Sequence, residues 1–569
     1  MAGVIVLLLL LLASLVVINL NRSYKAGKSV RLIDRNDELM LLKLNNKKYY
    51  SLYSTSTPLL FTEWLLKKED KYFYYHPGIN PMSLISATLD KFGLIKRRGS
   101  STITQQLVKI LLGNEVKRSA KNKITELIYA LALDFLKTKK TILAWYLNSS
   151  YFGNQLQGLE TASLAYFKTP ADKLSNEQVL QLLATLSNPS YQNPTSDTNI
   201  SLAQNLAKQF KVEVSEANFI EPKIVNLNLK KFLNWDEAFE MAEYLKNIET
   251  GNYQLTIDLK LTRQIREIVR STMPSFYDRD AHNAAVVVLK AKTNEVLAIV
   301  GTPDPKSKLY GQQINMALEP RQIASTVKPF IYLKAFEGGM RGDTLIDDSQ
   351  YEFRTADGRQ LNLKNYDNKY HGMVTAGYAL SNSINIPSVK TLEQIGLDNF
   401  KDFLTKLNYS NLEKVEEHQL GVALGTLPFS LLELTHDYSI FPRGGNYSSL
   451  KLFTNQKIND RIFPKIDRQV IDKKFVEMIT DILSDRRIAT DQFGYVSNLS
   501  LPIANYALKT GTSDDYRDSW VIGYTPDFVV GTWVGNANNE STKKLSGQTG
   551  AGEIWSRVME LMVSYEDSI

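Results

Sequence analysis

Two groups of residues in this chain have types and spacings that could do chemistry. In the first, Glu69 and Asp70 precede the aromatic run Tyr72, Phe73, Tyr74, Tyr75 and then His76, Pro77 and Gly78. A polar stretch follows, Ser100-Ser101-Thr102-Ile103-Thr104-Gln105-Gln106-Leu107, behind Lys96, Arg97, Arg98 and Gly99, and Lys123 and Glu126 lie beyond it. A carboxylate base, a second carboxylate and a cationic cradle suit transfer of a sugar from a phosphorylated donor, because charge builds on the leaving group. In the second group, Ser325-Thr326-Val327-Lys328 puts a hydroxyl and an ammonium three residues apart, on one face of a helix. A serine is a poor nucleophile until a base takes its proton, and a partly desolvated lysine is such a base. Ser383-Ile384-Asn385 and Lys509-Thr510-Gly511-Thr512-Ser513 follow in the order expected of serine enzymes that form an acyl intermediate with a peptide or lactam. Taken singly, each feature has a plainer reading. Glu69 and Asp70 could be a helix-end acid pair, Glu126 a solvated partner of Lys123, and the aromatic run packing; His76 reads as structural.

The elements that must position these residues are legible as patterns. A chain of 569 residues accommodates two sizeable domains and a connector. The net charge of +7 is modest, but the basic residues Lys91, Lys96, Arg97, Arg98, Lys109, Lys117, Arg118, Lys121 and Lys123 cluster beside the first group, with Glu115 the only acid among them. Such a patch suits an anionic ligand or membrane surface. With no cysteine, disulfides, thiol catalysis and Cys-type zinc sites are excluded, and the five histidines show no metal-ligand spacing. Residues 1–20 read as an uncleaved transmembrane anchor: the uncharged run is just long enough to span a bilayer, no basic region precedes it and no clear cleavage site follows it. Arg22, Lys25, Lys28 and Arg31 follow the span, which by the positive-inside rule would place the remainder in the cytoplasm.

Residues 21–59 read as a membrane-proximal hairpin around Asp34-Arg35-Asn36-Asp37. A helical domain then covers residues 60–194, with an apolar stripe of Ile124, Leu127, Ile128, Leu131 and Phe135. Residues 195–252 form a linker with a helical stretch over 236–248, and residues 253–569 form the second domain. There, 255–257 reads as a strand, 259–269 as a helix, and 284–289, 295–300, 520–524 and 528–535 as strands, giving a helix-covered sheet of α/β or α+β type.

The two groups together resemble the class A penicillin-binding proteins, bifunctional peptidoglycan glycosyltransferases and transpeptidases, over nearly the whole chain. Glu69 to Gly78 is similar to the family's E-D-x-x-F-x-x-H-x-G element, and Gly99 to Leu107 to its G-[GAS]-S-T-I-T-Q-Q-L element. Tyr146-Leu147-Asn148 with Tyr151-Phe152-Gly153 is similar to its Y-L-N-x-x-Y-F-G element. The resemblance implies a multidomain protein: a transmembrane helix, a mainly α-helical lysozyme-like glycosyltransferase domain, and a penicillin-binding domain with a helix-covered antiparallel sheet. It implies Glu69 as the base on the acceptor 4-hydroxyl and Glu126 as the second catalytic carboxylate. Lys109, Arg118 and Lys123 would neutralise the pyrophosphate, and Ser101, Thr102, Gln105 and Gln106 would line the cleft. It further implies Ser325 as the acylated nucleophile, Lys328 as its base, and Ser383, Asn385 and Lys509 as proton-relaying and substrate-holding groups. Thr510, Gly511 and Thr512 would hold the substrate carboxylate and complete the oxyanion hole with the Ser325 N–H.

Three positions depart from the family pattern: Asn122 precedes Lys123 where an arginine is usual, Ile110 follows Lys109 where an asparagine is usual, and Ala144 replaces a glutamate. The implied substrates are lipid II and nascent peptidoglycan, with β-lactams as acylating inhibitors and no nucleic acid. No cofactor is required, although a divalent cation could serve the glycosyltransferase half. The implied location is the cell membrane, single-pass, with both catalytic domains on the extracytoplasmic side. The alternatives are a membrane-anchored D,D-carboxypeptidase, or a β-lactam sensor whose N-terminal domain only binds glycan.

Overall fold

The computed structural model describes residues 2–81, 101–113, 120–222, 235–354, 360–494, 497–503 and 505–566. Chain contacts divide it into two compact units: Met1–Leu32, Leu39–Trp235 and Asn247–Tyr253, and Ile33–Glu38, Asp236–Lys246 and Gln254–Ile569.

In the first unit, helix α1 (Ala2–Ala26) carries, within Gly3–Ala26, an 18-residue window of mean hydropathy 3.0 that is 11% buried, and the helix is long and apolar enough to cross a membrane. Its two ends differ. Val4 to Leu12 are exposed, whereas Val17 and Leu20 join the helical core, Tyr24 stacks on Trp145 at 4.4 Å, and Asn148 donates to the Tyr24 hydroxyl at 3.0 Å. Strands β1 (Val30–Ile33) and β2 (Leu39–Leu42) form the expected hairpin; its turn is held by Asp34 Oδ1, which accepts the N–H groups of Asn36 and Glu38 at 2.8 and 2.8 Å.

The helical core is built by α2 (Leu59–Glu69), α3 (Ile103–Leu112), α4 (Ala120–Leu136), α5 (Lys139–Ser149) and α6 (Asn176–Thr185). On α4 the helical period of the sequence holds but the buried face differs from the apolar stripe. Ile124, Ile128, Leu131 and Phe135 are 57%, 56%, 40% and 73% exposed, and the core contacts come from Ala130, Ala132 and Leu133. The helical core also runs past Pro194, the expected end of the helical domain, into the stretch expected as linker. Helix α7 (Thr198–Phe210) buries Ala203, Ala207 and Phe210 against it, because its own apolar positions recur at helical spacing.

In the second unit the stretch 236–248 is not one helix but a turn at Trp235–Ala238 and two 3-10 turns, Phe239–Met241 and Tyr244–Asn247. Glu240, 2% exposed, explains the break: it turns inward to pair with Arg266 at 2.7 Å and to accept the Gly301 N–H at 3.0 Å. The strand expected at 255–257 lies earlier, at β3 (Gly251–Gln254), whose first three residues belong to the first unit, and Leu255 makes only an isolated bridge to Phe453. Helix α8 (Leu259–Thr272) follows.

The sheet is five-stranded and antiparallel throughout. Strands β4 (Asn283–Lys290), β5 (Glu295–Val300), β6 (Ala507–Thr512), β7 (Asp518–Tyr524) and β8 (Phe528–Gly535) lie in the order β6-β7-β8-β4-β5. Strands β4, β7 and β8 read as nearly unbroken apolar runs because both faces are covered. Helix α12 (Ala551–Glu566) lays Trp555 on one face, donating its indole N–H to Val530 O at 3.1 Å; a Cβ at Gly523 would stand 2.3 Å from that ring. Helix α11 (Leu431–Tyr438) packs on the other face, where a Cβ at Gly531 would meet Thr435. Strand β6 is left at the edge.

Candidate active sites

The Glu69 site is assembled by two helix ends. Glu69 is the last residue of α2, and α3 begins opposite it with a capping box in which Thr102 Oγ1 accepts the Gln105 N–H at 3.2 Å and Gln105 Oε1 accepts the Thr102 N–H at 2.9 Å. Thr102 also donates to Gly78 O at 2.6 Å. Both side chains, expected in the cleft, are therefore buried in fixing α3, and of the two glutamines it is Gln106 that reaches Glu69. Its Nε2 donates to Glu69 Oε2 at 3.2 Å and to Ser101 O at 3.4 Å, while Tyr146 donates its hydroxyl to Gln106 Oε1 at 2.9 Å. Burial, then the Glu69 charge, holds the Tyr146 proton on, so it stays a donor. Lys68 pairs with Glu69 at 2.8 Å.

The second carboxylate is tied into the same network. Lys123 hydrogen-bonds Glu126 and donates to Ser101 Oγ at 3.3 Å, so Glu69, Gln106, Ser101, Lys123 and Glu126 form one continuous chain of contacts. Lys109 is exposed, one turn along α3 from Gln106 on the same face. Arg118, with Lys96, Arg97 and Arg98 of the basic cluster, lies outside the described residues.

The neighbour of Glu69 does structural work: Asp70, 7% exposed, accepts from the Ile103 N–H at 2.9 Å and bonds His76 Nε2 at 2.9 and 3.1 Å. Asp70 thereby pins the start of α3 beside the end of α2, and His76 is structural. Of the aromatic run only Phe73 is packed; Tyr72, Tyr74 and Tyr75 are exposed.

The Ser325 site rests on a tight turn. Ser325 lies in a 3-10 turn (Ala324–Val327) that runs into α9 (Lys328–Glu337). Ala324 has φ +50°, a strained conformation for a residue with a Cβ, and Gly425 braces it: Ala324 N–H donates to Gly425 O at 3.0 Å, and a Cβ on Gly425 would stand 1.8 Å from Ala324 O. From the sheet side, a Cβ on Gly511 would lie 2.9 Å from Ile323 O and 3.0 Å from Thr326 Cγ2, so the β6 edge can lie on this turn only with glycine there. Thr510 and Thr512 alternate to the opposite face from Lys509, and Thr512 Oγ1 accepts the Gly547 N–H at 2.9 Å.

Behind the half-buried Ser325 two ammonium groups are enclosed. Lys328, 0% exposed, donates to Ser383 O at 2.6 Å, Ile384 O at 3.2 Å and Asn385 Oδ1 at 2.8 Å. Burial, then the charge of Lys509, pulls its proton affinity well below the usual lysine range. Lys509, 1% exposed, donates to Ser383 Oγ at 2.8 Å and Thr510 O at 3.0 Å; burial, then Arg486, lowers it to about 7. Lys328, Ser383, Asn385 and Lys509 thus form one polar cluster. Among the described residues the Ser325 hydroxyl has no hydrogen-bond partner: the contact with Lys328 expected from the Ser-x-x-Lys spacing is not made, and Lys328 is bonded to Ser383, Ile384 and Asn385 instead.

Two residues passed over in the sequence orient this cluster. Asn365 accepts the N–H of Asn385 at 3.0 Å and of Ile386 at 3.3 Å, fixing the start of α10 (Asn385–Ile395), and donates to both oxygens of Asp348 at 2.9 and 2.8 Å. Asp348, 0% exposed, also accepts from the His371 N–H at 2.9 Å and bonds its Nδ1 at 2.8 Å. An asparagine in a loop carries no periodic signal, so only the contact shows the role.

Residues 37–213 match the transglycosylase family, and residues 284–560 match the penicillin-binding protein transpeptidase domain. Penicillin-binding protein 1B of Buchnera aphidicola subsp. Baizongia pistaciae is 27% identical over 594 residues, covering 96% of this chain and 78% of the relative. Penicillin-binding protein 2D of Bacillus subtilis is 28% identical over 531 residues, covering 86% of this chain and 74% of the relative. The crystal structure of penicillin-binding protein 1A from Haemophilus influenzae aligns with a TM-score of 0.58 at 15% identity, over 95% of this chain and 92% of that one, a likeness of fold.

Proposed function

This chain belongs to the class A penicillin-binding proteins, bifunctional enzymes that make peptidoglycan by glycosyl transfer and transpeptidation, and from that premise we propose how its residues divide the work. The observation that carries the reading is the pair of separate networks, one joining Glu69 to Glu126 and one joining Lys328 to Lys509 through Ser383, with Asn385 bonded to Lys328.

In the glycosyltransferase half, Glu69 takes the proton from the acceptor hydroxyl of lipid II as that oxygen attacks the anomeric carbon of the growing glycan. Gln106, held by Tyr146, aims the receiving oxygen. Glu126, Lys123 and Lys109 serve the departing pyrophosphate, where the cations offset developing charge, and the motif position of Arg118 gives it the same role. A divalent cation in this half is part of the proposal only as a companion of that pyrophosphate. Among the described residues no group of three or more His, Asp or Glu side chains could hold a metal.

In the transpeptidase half, Lys328 in its neutral form takes the Ser325 proton as the hydroxyl attacks the penultimate D-alanine carbonyl. Ser383 and Lys509 pass a proton to the departing D-alanine, and the Ser325 and Thr512 N–H groups hold the oxyanion. An amine of a neighbouring stem peptide then takes the acyl group, and a β-lactam is trapped at the acyl stage.

The membrane helix is an anchor, and we place both domains on the extracytoplasmic side, where lipid II and the stem peptides are available; the basic residues after the span run against the positive-inside rule. The exposed stripe of α4 and the outward half of α1 both fit a lipid surface. Full-length protein given labelled lipid II, with and without a β-lactam, tests the reading by analysis of the resulting muropeptides. Polymer should form in both cases and crosslinks only without the drug. Hydrolysed stem peptides without polymer would indicate the carboxypeptidase alternative instead.

A further inference from the structure

Away from both catalytic networks, helix α11 (Leu431–Tyr438) walls a cavity of about 360 Å³ in the transpeptidase unit. Glu433 caps its own helix, accepting from the N–H and hydroxyl of Ser430 at 2.9 and 2.8 Å. One turn on, Asp437 also lines the cavity and is 4% exposed; among the described residues its carboxyl group has no hydrogen-bond or ion-pair partner. Burying such a group without a partner is costly, and nearly every buried polar group in folded proteins has one. Burial, then the Glu433 charge, pushes its proton affinity well above the ordinary carboxylate range.

The rest of the wall says what kind of partner fits. Tyr244, Tyr409, Tyr447 and Phe463 line it, with Tyr409 stacked on Phe429 at 4.3 Å and Tyr244 set 5.8 Å from Phe463. Among the described residues no lysine or arginine lines the cavity. Its histidine, His436, supplies no charge at neutral pH either: burial lowers it to about 4, and its Nε2 bonds Ser448 O at 2.7 Å. The third carboxylate of the wall, Glu243, is exposed and paired with Lys246, and among the described residues the three acids are not grouped to hold a hard inorganic cation, which asks for about six or more oxygen ligands. Aromatic faces beside carboxylates instead suit an organic cation, and the volume falls within the range of small-molecule sites.

We propose that this cavity binds a small primary alkylammonium, its charged head between Asp437 and Glu433 and its stem against the tyrosine rings. A cation there stabilises the ionised form of Asp437, so binding releases a proton and tightens as pH rises.

Calorimetric titration of the full-length protein in detergent with n-butylammonium chloride tests this, with n-butanol, sodium chloride and magnesium chloride as comparison titrants. The expected result is one saturable site for the ammonium alone, with proton release seen as a dependence of the heat on buffer. Asp437→Asn, nearly isosteric, should weaken binding at least tenfold with an unchanged unfolding midpoint. Glu433→Gln, whose amide still completes the helix cap, should also weaken it and covers the case in which the first variant is unstable. Absence of saturable binding, equal binding by butanol or magnesium, or undiminished binding in folded Asp437→Asn or Glu433→Gln would each overturn the proposal.

Discussion

At the Ser325 site the charged groups are sealed in, with Lys328 and Lys509 0% and 1% exposed, whereas at the Glu69 site the carboxylate side chains of Glu69 and Glu126 keep 23% and 14% of their surface open. The contrast follows from what each reaction asks of its base. A lysine becomes a base near neutral pH only when desolvation strips its proton, so the acyl-transfer centre has to be buried. A carboxylate already carries its negative charge and needs only aiming, which Gln106, Tyr146 and Lys68 supply, so the sugar-transfer centre can stay open to a long substrate.

The largest effects should come from breaking one centre at a time. Ser325→Ala should abolish labelling by a fluorescent β-lactam and all crosslinks while leaving glycan polymerisation in place. Conversely, Glu69→Gln should cut polymerisation by ~10²–10⁴-fold and leave acylation unchanged. Loss of both activities in either variant would show that the two centres are not independent.

A smaller loss is expected where the residue only positions others. Asn365→Ala should slow Ser325 acylation ~10–100-fold through the acylation step with little change in β-lactam affinity, because Asn385 loses its anchor while the pocket stays. A parallel loss in affinity would mean that Asn365 merely supports the fold. Gln106→Ala should lower polymerisation by about tenfold, less than Glu69→Gln, since the base remains but is no longer aimed.

The mildest test is pH. The proposed mechanism needs Lys328 neutral and Lys509 charged, and burial lowers Lys509 to about 7. The second-order acylation rate should therefore rise on an acid limb set by Lys328 and decline as Lys509 loses its proton above that value. Lys509→Arg keeps the charge and should lift the alkaline decline, whatever its cost in absolute rate. A profile that stays level above pH ~7 would remove the cationic role of Lys509. Stability has its own sign: both lysines regain their ordinary affinity on unfolding, so the unfolded chain binds more protons. The unit should gain stability as pH rises from about 7 toward 10.5.

Local pattern was enough for much of this. Alternating and continuous apolar runs specified β4, β5, β7 and β8, because a strand covered on both faces has little choice of residue. The apolar run at the N-terminus specified a helix able to span a bilayer, and the three spaced motifs of the second half specified a serine acyl-transfer centre. The motifs failed where one triplet mixes jobs. Thr102, Gln105 and Gln106 look equivalent as letters, yet the first two close a helix cap and only Gln106 reaches Glu69.

The tertiary structure alone decided several matters. The outward stripe of α4 is one, since period gives a helix its apolar face but not the side on which its neighbours pack. The fit of Gly511 against the Ser325 turn, the bracing of Ala324 by Gly425 and the anchoring of Asn385 by Asn365 are others. Each joins segments far apart in the chain, and the lysine pKa shifts follow from that enclosure. Desolvation is a property of everything packed around a group, which no local run of residues contains.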